Sequence, residues 1–171
     1  CFTARTVEPP WTRVVHASML LGVDPTVHGL VDNSMKPLAE GLTSVLALAR
    51  AAGRSTASAN NWKQMDSLIE PLASLHRIFI DSGYDPAEDD LMVDMFASVW
   101  AARRPDVSYV YLCRTDLAGH DHGWGSDEYL SAMTEIDRTL GRLLEVVGEE
   151  TSVVVTTDHG RPAHDHPAPP P

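Results

Sequence analysis

Apolar residues at Tyr129, Met133, Ile136, Leu140, Leu143 and Val147 recur at alternating steps of four and three, which places them on one stripe of an α-helix. Ser126 stands at its N-cap position, and Asp127 and Glu128 follow in the first turn, where carboxylates favour the positive end of the helix dipole. On either side of this stripe the pattern changes to continuous runs. Val107 to Cys113 reads Val-Ser-Tyr-Val-Tyr-Leu-Cys, rich in β-branched and aromatic residues, as in a strand buried on both faces. Thr151 to Thr157 is a second such run. Strand, helix and strand within about fifty residues predict a βαβ unit, with parallel strands and a right-handed crossover.

Two more helices fit the pattern. One runs from about Pro37 to Ala52 and ends at Gly53; the other runs from Pro86 to about Arg103. The second opens with Asp85, Pro86 and Glu88, a capping-box arrangement with proline at the first helical position. Ser55 to Ala59 reads as a weak strand, and Leu75 to Ile80 shows no clear period. There is no internal repeat. The terminal Pro167-Ala-Pro-Pro-Pro cannot continue a helix or a central strand, so it is a tail or a cut edge. The expected architecture is α/β: one domain over residues 1–166, a three-layer αβα sandwich around a mostly parallel sheet, and a Pro-rich tail at 167–171.

Composition supports one domain, since 171 residues at 43% apolar content can build one core and not two ordinary ones. The formal net charge of −11 argues against binding a nucleic-acid duplex or an anionic membrane. An acidic protein meets a phosphate through local positive charge, which bound divalent cations supply. Eight histidines among many aspartates are suitable raw material, although most of the acidic residues read simply as a solvated surface. Cys1 and Cys113 give no disulfide framework. No membrane span and no leader are visible. The chain opens at Cys1 without an initiator Met, which leaves room for residues upstream. No compartment is fixed by the sequence, with the cytoplasm slightly preferred, and oligomeric state is left open.

Both strands of the expected βαβ unit end in metal-ligand residues: Asp116-Leu-Ala-Gly-His120 after the first, Asp158-His159-Gly160 after the second. Ligands of an open parallel sheet bind at the carboxyl ends of its strands, so the two pairs are expected to meet at one edge. Carboxylate oxygen and imidazole nitrogen suit zinc, with manganese or iron tolerated. Gly119 and Gly160 fit loops that turn tightly beside an ion. Taken singly, Asp116 and Asp158 read first as turn caps at strand ends; together they favour a metal. His164 and His166 offer a third ligand, or else belong to a His-rich surface tail, and His122 reads as a loop residue. Thr12 follows Pro9-Pro10-Trp11 and begins a short helix. A hydroxyl there faces unpaired N–H groups and the positive dipole end, which stabilise an alkoxide and a bound phosphate. On position alone, an ordinary N-cap is the plainer reading.

The stretch Thr12 to Asn33, with His16, Ser18, Gly22, Pro25, His28-Gly29 and Asn33, resembles the nucleophile segment of nucleotide pyrophosphatases/phosphodiesterases, a branch of the alkaline phosphatase superfamily. So do Tyr111, Asp116, Gly119-His120, Gly123, Ile136-Asp137, Leu140-Gly141 and Thr157-Asp158-His159-Gly160. The resemblance covers both ends of the chain and thins out between residues 55 and 90. It implies an alkaline-phosphatase-like sandwich that hydrolyses phosphodiester or pyrophosphate bonds of a small phosphate ester or nucleotide. Two divalent metal ions, zinc first, would serve as cofactors. Thr12 is then the nucleophile, and Asn33 the amide that steadies a phosphate oxygen. Asp158 and His159 hold the metal that activates Thr12. Asp116 and His120 hold the other, joined by His166 or, second, His164. Tyr111 lies near the substrate pocket.

Two departures stand against the resemblance. Family members begin with a strand ending in a metal-binding aspartate, for which Cys1 to Trp11 offers no counterpart, and their third histidine sits in a Gly-His-Gly setting rather than His164-Asp-His166-Pro. The domain is therefore expected to be incomplete at both ends. Alternative readings are phosphomonoester or phosphonate hydrolysis, phosphotransfer, or a non-catalytic metal-binding remnant. Sulfate-ester hydrolysis is disfavoured because it needs Cys or Ser where Thr12 stands.

Overall fold

The computed structural model describes residues 5–69, 74–81 and 85–160. At its centre is β1 (Thr56–Asn60), every residue of which is buried, between β2 (His76–Phe79) and β3 (Val107–Val110). The three strands are parallel, in the order β2-β1-β3. Side chains of a strand alternate between faces, and β1 divides two cores in this way. Ala57 and Ala59 join Ile78 and the Met92, Val93, Phe96 and Trp100 row of α5 (Glu88–Arg103), together with Leu143 and Val147 of α7 (Asp127–Val147). The second core gathers Val14, Ala17 and Leu20 of α1 (Thr12–Leu21), Leu46 of α3 (Val45–Ala51) and Met65, Leu68 and Ile69 of α4 (Lys63–Ile69), with Tyr111 and Cys113 beyond β3. Helices thus cover both faces of a parallel sheet, the α/β sandwich that the pattern predicts. Two short helices complete the described elements: α2 (Pro25–His28) and α6 (Arg114–His122).

The stripe from Tyr129 to Val147 forms α7 as expected, capped by the Ser126 hydroxyl, which accepts the N–H of Tyr129 at 3.1 Å. The helix expected from Pro37 starts only at Val45. Ser44 caps it by accepting the N–H of Ala47 at 3.1 Å. In α5 the Asp85 carboxylate accepts the Ala87 N–H, and the helix begins at Glu88. The Glu88 side chain turns to Asn61 rather than back to a cap, so the capping box does not form.

The strand expected over residues 107–113 is shorter and less buried than its composition suggests. The ladder stops at Val110, although the Tyr111 N–H still reaches the Ala59 carbonyl at 2.9 Å. Thr151 to Thr157 is not a strand, and the βαβ unit around α7 is therefore not closed. Val153, Val154 and Val155 are 42%, 88% and 62% exposed. Both sides of β1 are taken by β2 and β3, and the run pairs with no strand among the described residues. Valine content records a preference for half-buried pleated surface, and without a ladder it makes no strand.

Candidate active site

The site is built on the first turn of α1. Trp11 holds the N-cap position without a side-chain cap bond, and Thr12 is the first helical residue rather than the cap. The neighbouring Arg13 N–H is donated to Asn33 Oδ1 at 2.9 Å, so a side chain twenty positions away serves the helix end. The buried Arg13 guanidinium donates to the carbonyls of Ser34 (2.6 Å) and Gln64 (3.3 Å), tying the loop after α2 and the start of α4 to α1. Burial lowers its pKa, against the pull of Asp32.

Thr12 Oγ1 lies 3.2 Å from His159 Nε2, across 147 positions of sequence. Asp158 Oδ2 is 3.3 Å from the same imidazole nitrogen and 3.6 Å from Nε2 of His16. His16 is four residues after Thr12 and hence on the same face of α1. Its other nitrogen, Nδ1, meets the hydroxyl of Tyr109 on β3. Tyr111 places its ring edge-on to His16 at 5.2 Å and stacks on Trp62 at 6.4 Å. Burial holds His16 down at a pKa of about 4, although Asp158 pulls it upward, and burial pushes the Tyr109 phenol up. A cleft of ≈ 910 Å³ opens beside this group, lined by Val15, Ser18 and Met19 of α1 and by residues 155–160.

The second pair of candidate ligands sits on a helix. Asp116 and His120 lie in α6, not in a loop, and face each other at 3.5 Å one helical turn apart. Asp89 organises that helix start: its carboxylate accepts the N–H groups of Cys113 (3.1 Å) and Arg114 (3.0 Å). Among the described residues no group of three or more His, Cys, Asp or Glu side chains is arranged to hold a metal ion. The strand-end setting expected for both pairs is not formed. One pair rides on a helix packed against α7 and the other follows an unpaired segment. Gly119 is likewise helical, and a Cβ there would lie 2.6 Å from the Trp124 ring; neither it nor Gly160 has a positive φ. His122 is exposed at the end of α6. His164 and His166 lie outside the described residues.

The donor types suit a divalent ion on the Thr12 side. Asp158 and His159 present oxygen and nitrogen close to the hydroxyl, and the buried Nε2 of His16 has no hydrogen-bond partner. Ser18 and His28 also lie 3.0 Å apart, but His28 Nδ1 accepts the Leu30 N–H, so the proton is on Nε2 and is donated to the Ser18 hydroxyl. That pair cannot activate serine. Sequence reasoning missed His16 and Tyr109 as site residues; the spacing of four from Thr12 was the available signal for the first.

The family model for type I phosphodiesterase / nucleotide pyrophosphatase matches residues 48–167, more than half of the chain. The chain belongs to this family. Venom phosphodiesterase CdcPDE of Crotalus durissus collilineatus is 27% identical to it over 179 residues, covering 91% of this chain and 21% of that protein. Ectonucleotide pyrophosphatase/phosphodiesterase family member 1 of Mus musculus is 23% identical, over 91% of this chain and 20% of that protein. The chain of this type I phosphodiesterase family member thus spans about a fifth of the length of these relatives. Among solved structures, phosphonoacetate hydrolase from Sinorhizobium meliloti 1021 superposes with a TM-score of 0.64 at 18% identity, over 82% of this chain and 44% of that one. A 2-O GAG sulfatase gives 0.58 at 12% identity, over 85% and 46%. These likenesses show the fold, an alkaline-phosphatase-like α/β sandwich. No helix among the described residues is long and apolar enough to cross a membrane.

Proposed function

We propose that this chain carries the nucleophile side of a metal-dependent phosphodiesterase or nucleotide pyrophosphatase site, with Thr12 as nucleophile and a small phosphate ester or nucleotide as substrate. The observation that carries this reading is the approach of Thr12 Oγ1 to His159, with Asp158 beside it, at the first turn of α1. Thr12 Oγ1 gives up its proton to solvent and attacks phosphorus in line, the bond to the leaving oxygen breaks with its electron pair and that oxygen takes a proton from water, and a second water then cleaves the Thr12 ester at phosphorus, its proton restoring the hydroxyl. Asn33 would steady a phosphate oxygen through its Nδ2 donor, a role supported by its Oδ1 accepting the Arg13 N–H at 2.9 Å. Asp158 and His159 would hold one divalent ion, and Asp116, His120 and His166 or His164 a second. Zinc suits these donors, with manganese or iron tolerated, and when bound such ions lower the pKa of the hydroxyl and neutralise phosphoryl charge.

Hydrolysis of bis-p-nitrophenyl phosphate with added zinc or manganese tests the proposal, with the monoester as control. Thr12→Ala is expected to lower metal-dependent diesterase activity by at least about a thousandfold. Retention of activity in that variant would remove Thr12 as nucleophile. Asp116 and His120 sit on the helix α6 rather than at a strand end, and this favours a second reading, a chain that binds metal without turnover. Zinc binding by folded wild-type protein with neither ester hydrolysed would establish that instead.

A further inference from the structure

Tyr109 and Tyr111 are two positions apart and therefore share a face at the end of β3. Both rings meet the His16 imidazole edge-on, at 5.9 and 5.2 Å and at 86° and 83°. The ring is thus held from the sheet side while its backbone is fixed in α1. The Tyr109 hydroxyl is in contact with His16 Nδ1, and with the phenol O–H donating, that nitrogen accepts. A neutral imidazole that accepts at Nδ1 carries its one proton on Nε2. That nitrogen is buried, has no hydrogen-bond partner among the described residues, and has Asp158 Oδ2 at 3.6 Å. The other tautomer would set a nitrogen lone pair against the carboxylate. At 3.6 Å the contact is longer than a hydrogen bond.

Asp158 needs such an anchor, because the residues before it form no regular structure and its backbone is not held by a ladder. We propose that His16 is a positioning residue: a Tyr109–His16–Asp158 chain, built on β3 and α1, orients the Asp158 carboxylate beside Thr12. The inference rests on the reading of Asp158 and His159 as metal-holding residues. Outer hydrogen-bond partners of metal-binding carboxylates and imidazoles set affinity by about 10–100-fold, and that is the effect assigned to His16.

The test uses the full chain and the variants His16→Ala, His16→Gln, Tyr109→Phe and Asp158→Ala. Zinc affinity is read by competition with a chromogenic chelator, fold by circular dichroism, and the wild-type His16 tautomer by long-range ¹H–¹⁵N spectroscopy. His16→Ala is expected to weaken zinc binding by about 10–100-fold with the fold intact. Tyr109→Phe should shift it in the same direction by less, and His16→Gln, which keeps a donor near the Nε2 position, should recover part of the loss. Wild-type affinity in a folded His16→Ala variant, or Gln no better than Ala, would overturn the positioning role. So would a proton on Nδ1 in the wild type, a result that needs no variant to fold. Asp158→Ala separates the two levels. If it loses zinc while His16→Ala keeps it, only the His16 inference fails; if wild type and Asp158→Ala bind zinc alike or not at all, the metal reading fails and takes the inference with it.

Discussion

Asp89 is fully buried, and burial pushes its pKa up although the N–H groups of Cys113 and Arg114 and the Arg114 charge pull it back. Between the ordinary carboxylate value and this raised one, the native state keeps a proton that the unfolded chain has lost. Stability from this group is therefore complete below the ordinary value and falls as pH rises through the native value. In urea titrations across the acid range, wild type should lose stability relative to Asp89→Asn as pH rises, and then hold a constant difference. The opposite slope would mean that the two N–H bonds outweigh desolvation. Such a residue is silent in the sequence, where Asp89 is one of three consecutive acidic residues opening a helix. Thr12, Asn33, Asp158 and His159 were conspicuous in the sequence because each sits in a short motif. Tyr109 and His16 were not, since their contact joins positions 93 residues apart.

At the scale of elements, legibility followed length and period. α7 has five turns of regular stripe and a capping serine, and it formed where the pattern put it. β1, Thr-Ala-Ser-Ala-Asn, falls on the weak strand expected at Ser55 to Ala59, and although it has no Val or Ile it is the centre of the sheet. Its small side chains let helices close on both faces. β2 has four residues, too few to show a period. In the sequence of α6, Gly119 suggests a turn, whereas this glycine answers to packing. The missing side chain gives room for the Trp124 ring, which also contacts His120 at 5.7 Å and Tyr129 at 5.5 Å. Two effects compete in Gly119→Ala: helix propensity favours alanine by about 1 kcal/mol, and overpacking against the ring costs about 1–3 kcal/mol. The Cβ would fall 2.6 Å from an indole that is itself held by two neighbours, so packing should win. The unfolding midpoint is expected to fall, with a change in tryptophan emission; a higher midpoint would show that Trp124 yields.

For the molecule as a whole, the fold class was legible because helices on both faces of a parallel sheet need only the alternation of element types. The site was legible in part, because residue identity in motifs does not say whether two elements meet. The structure brings Thr12, Asn33, Asp158 and His159 to the first turn of α1 and leaves Asp116 and His120 on α6. The same geometry leaves surface that a closed sandwich would cover. Among the described residues β2 and β3 are each bonded on one side only, and Val153, Val154 and Val155 stand exposed. Unpaired strand edges and exposed β-branched runs favour association between chains. Wild-type protein is therefore expected to associate as its concentration rises in sedimentation velocity, and Val154→Lys to suppress this. Val154 is 88% exposed, so the substitution should move the unfolding free energy by no more than about 0.5 kcal/mol. Unchanged association in a stable variant would place the contact on another surface, whereas lost stability would mean that Val154 is packed in solution. Suppressed association at unchanged stability would mark residues 153–155 as the surface through which one copy meets another.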